Sequence, residues 1–525
     1  MPQIQERAPE SSRSYRLLVE ELFDTGIEGW QGFAQEDSLS EVSWDPYQRL
    51  LWSVAPAPQK TAALVHKWPE LPGADGFTIR ISSLDRSAYL VLGVQEKDGS
   101  AYSLALFLEP GSVREYPVSL TGFGLQSDSE DENGRLDPDQ LKLFSIVDIS
   151  SFLEIPRPNR VIIDEFSIWS GMPDLSHYRC PSAGTAIRAE SFTVGVDANF
   201  VPQGERHGRG FFVEDEEVDP IELFASNGVS GFRLRLWVGD KGESKLHYAT
   251  GLALRALEAG LKPYLVLFLS EGWSDVNSQP APKVWAELSL DERAKKIELY
   301  SYETAQHFID RGIELDFYEI GNEIDYGICG VFADTTKPRD AASLERTVWP
   351  DEALLIRAAI DGVRRARPDA RIMLHIANSW SPGFASAFFR TMSDLGLDYD
   401  YSGLSFYPTA FGMITSQQFC ETLDRLSKEI GKPIIIAETA YPAEPPTGGM
   451  FVDWRRAAPG YPLNPQGQAW WISDFLKGMR DRGDVLGVYI FSPGFWFSGE
   501  LWSPFALFDD EGRARPAVAS LNIDH

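Results

Sequence analysis

The hydrophobic and polar positions divide the chain into two parts with different periodicity. Up to about residue 185, short runs alternate between apolar and polar positions, as strands with one buried face do. The clearest runs cover residues 61–65, 77–81, 88–92, 102–107 and 161–168, and turn-forming residues separate them. This pattern predicts an antiparallel β-sandwich over residues 1–185.

From about residue 190 onward, apolar runs alternate with amphipathic stretches. Eight runs are predicted strands, at residues 192–198, 231–237, 263–269, 316–321, 372–376, 401–407, 433–438 and 485–491. Stretches between them, such as 291–309, 352–365 and 466–479, repeat apolar residues at three- and four-residue steps, as amphipathic helices do. Eight strands alternating with helices predict a (β/α)₈ barrel over residues 190–525, joined to the sandwich by a linker that begins near Ser170.

Charge narrows the partners that this chain can be expected to bind. The 77 acidic residues exceed the 48 Lys and Arg residues and give a net charge of -29. This charge argues against nucleic acid and anionic membranes as partners, since both are polyanions, and it favours a neutral glycan over an acidic one. The acidic stretch at residues 128–134 is predicted to be a solvated loop, with a calcium loop as the alternative.

The number of cysteines and the composition of the amino terminus indicate the cellular compartment in which the protein is expected. Cys180, Cys329 and Cys420 are too few and too scattered to predict a disulfide framework or a zinc site. The first 16 residues are polar, without the apolar segment of a signal peptide, and no run approaches the length of a transmembrane helix. We therefore expect a cytoplasmic protein, or a secreted one if a leader was removed, with no cofactor and no bound metal. The sequence does not predict the oligomeric state.

Two predicted barrel strands each end in a carboxylate. Glu323 follows the fourth strand and Glu438 ends the seventh. The carboxyl-terminal strand ends are where barrels of this kind place their active sites. A pair of carboxylates is what a glycosidase needs, one as acid and one as nucleophile. Either Glu alone could simply begin a loop, so the prediction depends on the other residues at the same end.

Polar and aromatic residues accompany both carboxylates at the predicted strand ends. Three of them alternate along the second strand and therefore share one face. Hydrogen-bond donors would stabilise the charge of a nucleophile, and aromatic rings offer platforms for sugar faces. The residues predicted to bind substrate or support the carboxylates are Asp197, Arg233, Arg235, Trp237, Trp273, Asn322, His375, Tyr407, Trp496 and Trp502. The alternative for each is structural: an ion pair, a packed ring or an interior hydrogen bond.

Several segments, in order along the chain, resemble glycoside hydrolase family 53, the endo-β-1,4-galactanases. They are residues 195–200, 228–238, 320–324 with Gly327 and Trp349-Pro350, 403–408, 437–442, and 506–509 with Gly512. The resemblance covers about residues 192–517. It implies a retaining glycosidase in which Glu323 is the acid/base and Glu438 the nucleophile, with carboxyl groups about 5–5.5 Å apart. It also implies that Asn322 binds the sugar 2-hydroxyl, and that Tyr407 with Arg233 or Arg235 holds Glu438 ionised.

Three segments depart from the pattern of that family. Phe268-Leu269 stands where members usually carry a His-Tyr pair, and Phe491-Ser492-Pro493 stands in place of Trp-Glu-Pro. Thr409-Ala410-Phe411 replaces a segment with bulky aromatics and a His. All three are expected beside the sugar that precedes the cleaved bond. The resemblance therefore supports the retaining chemistry more strongly than it supports specificity for galactan.

The sequence thus predicts a retaining β-glycoside hydrolase for a neutral β-linked glycan, with β-1,4-galactan or galacto-oligosaccharides first. One alternative is a related glycosidase or transglycosylase with another β-linked substrate. The other is a non-catalytic glycan-binding protein, which the presence of both carboxylates argues against. The sandwich domain has two open interpretations: carbohydrate binding, and a structural or oligomer-forming role. Candidate sugar platforms there are Trp30, Trp44, Trp52 and Trp68.

Overall fold

The computed structural model describes residues 16–523 apart from several internal gaps. The gaps are residues 24–25, 46, 48, 70–71, 112, 121–122, 127–128, 132–135, 154–156, 172–191, 411–415, 452–453, 455–456, 459–460 and 500. Most of the predicted linker, Cys180 and Phe411 lie outside the described residues. Within the described ranges, no helix combines the length and the apolar character that crossing a membrane requires.

Two antiparallel sheets form the amino-terminal part. Their strands are β1 (Arg16–Glu21), β2 (Trp30–Ala34), β3 (Leu39–Trp44), β4 (Leu50–Ala55), β5 (Ala62–Lys67), β6 (Gly76–Ser83), β7 (Ala88–Glu96), β8 (Ala101–Leu108), β9 (Val113–Ser119), β10 (Gly124–Leu125), β11 (Leu141–Asp148) and β12 (Asn159–Ser170), with helix α1 (Ser150–Leu153) before β12. One sheet has the order β3-β4-β12-β6-β9, with β1 also paired to β12, and the other has the order β10-β8-β7-β11-β5-β2. The predicted sandwich is confirmed.

The two sheets enclose an aromatic core. The rings of Phe77, Phe144 and Phe166, from β6, β11 and β12, have centroids 5.0 to 5.4 Å apart. Along β4, burial alternates from one residue to the next, as a strand with one face on the core requires. The alternating pattern in the sequence therefore marks the faces that meet between the sheets.

Three of the four tryptophans predicted as sugar platforms in this domain belong to its core. Trp30, Trp52 and Trp68 are 5%, 0% and 2% exposed, so their rings have no free face for a sugar, and that prediction is wrong for them. Trp44 is 46% exposed, and its indole N–H donates to the backbone carbonyl of Phe23. The acidic stretch is described only in part, and there Asp131 accepts a hydrogen bond from the Tyr102 hydroxyl.

The carboxyl-terminal part is a closed barrel of eight parallel strands. In chain order these first to eighth barrel strands are Thr193–Asp197, Gly231–Leu236, Lys262–Leu267, Tyr318–Ile320, Ile372–Ile376, Tyr401–Phe406, Ile434–Thr439 and Val485–Phe491. Two short hairpins lie in its loops, Phe212–Val213 with Glu216–Glu217 and Gly327–Ile328 with Val331–Phe332. All eight predicted strands are confirmed, with bounds within two residues of those expected.

Helices surround the barrel strands. They are α2 (Val201–Arg206), α3 (Pro220–Ser226), α4 (Leu246–Glu258), α5 (Leu290–Ile309), α6 (Ala341–Thr347), α7 (Trp349–Ala366), α8 (Pro382–Asp394), α9 (Ser416–Glu429) and α10 (Pro465–Arg482). A capping box begins α5, where Ser289 and Glu292 satisfy each other's backbone N–H groups. Helices α7 and α5 approach closely at Gly362. A β-carbon at this position would lie 2.2 Å from the carbonyl oxygen of Glu298, so the approach requires glycine.

Glu109, just after β8, connects the sandwich to the barrel. Its Oε1 accepts hydrogen bonds from the Ser381 hydroxyl at 3.0 Å and the Gly383 N–H at 2.6 Å, at the start of α8. Its Oε2 lies 3.4 Å from Arg425 of α9. A second ion pair joins Arg114 of β9 to Glu421 of α9. Since α8 and α9 follow the fifth and sixth barrel strands, the sandwich is attached to that side of the barrel.

Glu109→Ala is expected to lower the free energy of unfolding by about 1 kcal/mol, because the first turn of α8 loses an acceptor for its N–H group. Urea denaturation measures the change. Glu109→Gln is the matched control, since its amide oxygen still accepts from Gly383, and it should fall between the alanine variant and the wild type. Equal stability of all three proteins would show that this contact contributes nothing.

Candidate active site

Charged side chains are buried together at the carboxyl-terminal ends of the barrel strands. Asp197, Arg233, Arg235 and Glu319 are all fully buried, and Glu438 is 2% exposed. An unpaired charge in such a place is very costly, so each of these groups needs partners of opposite charge or hydrogen bonds. The pairing pattern therefore defines the site.

Arg233, on the second strand, is the centre of this cluster. Its Nη1 donates to Asp197 Oδ2 at 2.8 Å and to Glu438 Oε1 at 2.7 Å. Its Nη2 donates to Glu319 Oε1 at 2.8 Å and to Asn322 Oδ1 at 2.6 Å, and its Nε donates to Glu319 Oε2 at 3.2 Å. One planar guanidinium thus connects the first, fourth and seventh strands, a geometry that a lysine could not reproduce.

Arg235, two residues further along the same strand, has a more aromatic environment. Its Nε donates to Asp197 Oδ2 at 2.8 Å, and its Nη2 donates to the Ser492 hydroxyl at 3.2 Å. Its guanidinium carbon lies 4.6 to 5.1 Å from the ring centroids of Phe200, Trp273 and Phe491. Cation–π contact with three rings holds this side chain in place beside the cluster.

Both carboxyl oxygens of Glu438 are occupied by donors. Arg233 binds Oε1, and the Tyr407 hydroxyl donates to Oε2 at 2.8 Å. Burial raises the pKa of Glu438, and the positive charge of Arg233 opposes that rise. The two hydrogen bonds both require an acceptor, and an ionised carboxylate with a fixed orientation satisfies them.

Glu323 is bound by a serine hydroxyl instead of an arginine. Burial, and then the negative charge of Glu438, raise the pKa of Glu323 well above its ordinary value of 4.5, while a hydrogen bond from Ser405 opposes the rise. That bond joins Ser405 Oγ to Glu323 Oε1 at 2.6 Å. A carboxylic acid kept protonated near neutral pH can protonate a leaving group. The structure therefore holds two carboxyl groups in contrasting protonation environments.

The backbone is strained where three barrel strands end. Leu269, Glu323 and Ser492 adopt left-handed conformations, with φ of 55°, 48° and 48°. They follow the third, fourth and eighth strands. Residues with side chains adopt this conformation at an energetic cost, and such residues concentrate at functional sites.

Four rings form an aromatic wall beside the cluster: Phe268, Trp273, Phe491 and Trp502. Neighbouring centroids along this wall are 5.5, 5.9 and 4.7 Å apart. Trp502 also lies 5.9 Å from the ring of Tyr407, which binds Glu438. Trp273 is 39% exposed, so part of its ring is open to a ligand.

The remaining predicted site residues lie in three different settings. Trp237 is half-buried and packs edge-on against Phe268 at 6.4 Å. His375 lies inside the barrel on the fifth strand, fully buried. Trp496 lies apart from the cluster, since its buried ring packs against Phe211 and Arg209. The other predicted residues, including Asn322 bonded to Arg233, are brought together around the two carboxylates.

Two residues of the cluster were not predicted from the sequence. Glu319 binds Arg233 through both carboxylate oxygens, and Ser405 binds Glu323. Both residues have a sequence feature from which their role could have been predicted. Glu319 is a charge within a buried apolar run, which demands a buried partner. Ser405 precedes Tyr407 by two positions and therefore shares its face of the strand.

Carboxylates that could bind a metal ion lie in the sandwich. Oxygen atoms of Glu96, Asp98 and Asp131 lie within 4.8 Å of one another, a spacing compatible with a cation and equally with solvated acidic groups. In the barrel, arginine side chains already bind Asp197, Glu319 and Glu438.

A second buried acidic pair lies behind the loop that carries Glu323. Asp325 accepts backbone hydrogen bonds from Ala377 and Asn378 at 2.8 and 2.7 Å, and burial raises its pKa to about 6. Glu352 of α7 is fully buried, and among the described residues neither of its carboxyl oxygens has a hydrogen-bond partner. Burial, and then the charge of Asp325, raise the pKa of Glu352 well above 4.5.

The barrel part of the chain is similar to known proteins in sequence and in fold. The profile of glycosyl hydrolase family 53 matches residues 193–521. An arabinogalactan endo-beta-1,4-galactanase from Humicola insolens is 27% identical over 342 residues, which cover 63% of this chain and 98% of the relative. One from Cellvibrio japonicus is 27% identical over 355 residues, covering 64% and 91%. The Ignisphaera aggregans GH53 catalytic domain superimposes with a TM-score of 0.57 at 26% identity, covering 65% of this chain and 99% of that domain.

Glu352→Gln is expected to stabilise the protein increasingly as the pH rises. The folded-state pKa of Glu352 lies above the unfolded value of 4.5. Its contribution to stability is therefore complete below pH 4.5 and is lost as the pH rises, by up to about 1.4 kcal/mol per pH unit. Glutamine removes this dependence. Urea denaturation between pH 4.5 and 8 measures it.

Glu298→Gln on α5 provides the control for this series, because its side chain is 43% exposed. The free energies of unfolding of both variants are compared with that of the wild type over the same pH range. A Glu352→Gln difference that stays constant with pH would contradict the assignment of a protonated Glu352.

Proposed function

Because the chain belongs to glycosyl hydrolase family 53 and is a glycoside hydrolase, we propose that it cleaves β-1,4-galactan or galacto-oligosaccharides by double displacement, with retention of configuration. The observation that carries this proposal is the contrast between its two carboxyl groups. Arg233 and Tyr407 donate to Glu438, whereas burial and the charge of Glu438 favour a protonated Glu323. The galactanase names of the aligned relatives support the choice of substrate.

In the first step, Glu438 attacks the anomeric carbon as the glycosidic bond breaks. Glu323 transfers its proton to the departing oxygen, and a covalent glycosyl ester forms on Glu438. Donation from Arg233 and Tyr407 keeps the attacking carboxylate charged and oriented. In this proposal Asn322 binds the sugar 2-hydroxyl, and its hydrogen bonds with Arg233 and the carbonyl of Ser274 support that role by fixing the orientation of its amide.

In the second step, water hydrolyses the ester. Ester formation neutralises Glu438 and thereby removes a negative charge that had raised the pKa of Glu323. Glu323, now ionised, accepts a proton from the water as it attacks the anomeric carbon. The same residue thus serves as acid and then as base, and the product keeps the β configuration.

The aromatic wall favours a related enzyme with a different β-linked sugar as the second candidate. Phe268 and Ser492 stand where the family pattern has polar and larger side chains. Phe268 packs against Trp273, and Ser492 accepts a hydrogen bond from Arg235, whose guanidinium contacts the Trp273 ring. A pocket with fewer hydrogen-bond donors and more apolar surface would select a sugar with fewer exposed hydroxyl groups. A hydrolysis panel of galactan, galacto-oligosaccharides, β-glucans and aryl β-glycosides distinguishes the two candidates.

Glu438→Ala should abolish turnover of both galactan and 2,4-dinitrophenyl β-galactoside, because each needs the nucleophile. Glu323→Ala should lower kcat on galactan by about 10²–10⁴-fold, and it should still release dinitrophenolate, which leaves without a proton. Proton NMR of the wild-type reaction should show the β-anomer first. Covalent labelling of Glu438 by a 2-fluorogalactoside should be detectable by mass spectrometry.

Glu352→Gln serves as the matched control for both variants, since it replaces a buried glutamate outside the reacting pair. Its kcat and KM should stay close to the wild-type values. Appearance of the α-anomer first would contradict the retaining mechanism. Turnover of another β-glycan, with galactan untouched, would move the assignment to the second candidate.

A further inference from the structure

A chain of hydrogen bonds runs from Glu323 into the barrel. Glu323 Oε1 lies 2.6 Å from Ser405 Oγ, which lies 2.9 Å from His375 Nε2. The other ring nitrogen, Nδ1, lies 2.8 Å from Glu319 Oε1. His375 and Glu319 are fully buried, and Ser405 and Glu323 are 3% and 8% exposed. Four side chains from three strands and one strand end thus form a continuous path shielded from water.

At the inner end of this chain of hydrogen bonds, between His375 and Glu319, the direction of donation is fixed. Burial acts to raise the pKa of Glu319, but the charge of Arg233 and the hydrogen bonds from Arg233 and His375 outweigh burial and lower it. Glu319 therefore stays a carboxylate, and His375 Nδ1 must carry a proton to bind it. The Nε2 atom is left as the one ring position whose proton can come and go.

At the outer end, between Glu323, Ser405 and His375, the hydrogen bonds can be donated in either direction with the same number of protons. In the first, Glu323 is protonated and donates to Ser405, which donates to a neutral Nε2. In the second, Nε2 is protonated and donates to Ser405, which donates to ionised Glu323. Both states use the same three heavy-atom distances, because a hydroxyl is donor and acceptor at once.

The charges around His375 favour keeping this proton in the chain. His375 faces Glu319, Asp325 and Glu438, and Arg233 is bonded to two of these three. Across the whole cluster, the carboxylates of Asp197, Glu319 and Glu438 outnumber the guanidinium groups of Arg233 and Arg235 by one. A proton shared between Glu323 and His375 offsets that excess negative charge.

We propose that Ser405 and His375 are positioning residues that share the catalytic proton with Glu323, so that His375 Nε2 stores it between turnovers. Loading the acid breaks the Nε2–H bond and forms a new Ser405 O–H bond. The original Ser405 O–H bond breaks as Glu323 Oε1–H forms, and the imidazolium becomes a neutral imidazole. No proton is gained or lost by the protein. This inference rests on the proposed function of Glu323 as the acid.

Sharing has a kinetic consequence on the alkaline side of the pH profile. Two bases that share one proton retain it to a higher pH than either base would alone. Ser405→Ala and His375→Gln should therefore move the alkaline limb of kcat/KM on galactan to lower pH. When the two bases hold the proton equally, losing one of them moves the midpoint of that limb by about 0.3 pH unit. The kcat/KM for dinitrophenyl β-galactoside reports the first step, which needs no proton from Glu323 with this leaving group, and it should fall less than kcat/KM on galactan.

A purely structural Ser405 predicts a different result. A hydroxyl that only donates to ionised Glu323 stabilises that form, so removing it would move the alkaline limb to higher pH. Ser405→Thr restores the hydroxyl and should return the limb to the wild-type position. An upward displacement, an unchanged limb, or an equal loss on the dinitrophenyl substrate would each overturn the proposal.

Nitrogen-15 NMR of histidine-labelled protein tests the chain without any substrate. The protein has seven histidines, and His375→Gln identifies the resonance of interest. At one fixed pH, Glu323→Gln and Ser405→Ala should each change its Nε2 chemical shift, because each alters the group that shares the proton. A chemical shift that neither variant changes overturns proton sharing, even if galactan is hydrolysed. A changed chemical shift without galactan hydrolysis supports the chain of hydrogen bonds and overturns the proposed substrate.

Discussion

The buried guanidinium of Arg233 is the interaction on which the rest of the barrel mouth depends. It donates to carboxylates from the first, fourth and seventh strands, and to Asn322. In an interior of low dielectric, three carboxylates this close would repel one another and become protonated without such a counter-charge. The contrast between Glu438 and Glu323 follows from this one side chain, because Arg233 binds the first and not the second. Arg235 completes the arrangement by pairing with Asp197 on its other side.

Much of the fold could be predicted from the sequence because the barrel strands are buried on both faces. A run such as Ile372–Ile376 is buried at every position and apolar apart from His375, so its position is clear without an alternating pattern. The sandwich was harder to predict strand by strand. Strand β3 has exposed or half-buried residues at every position, and β11 carries half-buried apolar residues on its outer face, so neither alternates cleanly. These strands are held by pairing with neighbours, which periodicity does not reveal.

The candidate site likewise has features that the sequence reveals and features that it does not. Residue type and strand-end position are visible in the sequence, and they were enough to find Glu323, Glu438, Arg233 and Tyr407. Packing on both faces of a ring is not visible, which is why Trp30 and Trp52 were predicted as platforms although they are buried in the sandwich. Long-range pairing is not visible either. Glu319 and Ser405 acquire their importance from partners 86 and 82 residues away.

The left-handed residues at the strand ends have a consequence for how this pocket can diversify. Leu269 and Ser492 lie within two of the segments that depart from the family pattern. At such positions the backbone conformation is imposed by the barrel, and glycine or asparagine adopts it with less strain than other residues. An exchange at Ser492 alters the group that accepts from Arg235, whereas the hydrogen bonds of Glu438 and Glu323 are made to other residues: Arg233, Tyr407 and Ser405. The barrel mouth therefore combines a rigid pair of catalytic carboxylates with a rim whose residues can be exchanged. New sugar preferences can arise at the rim while the reaction stays the same.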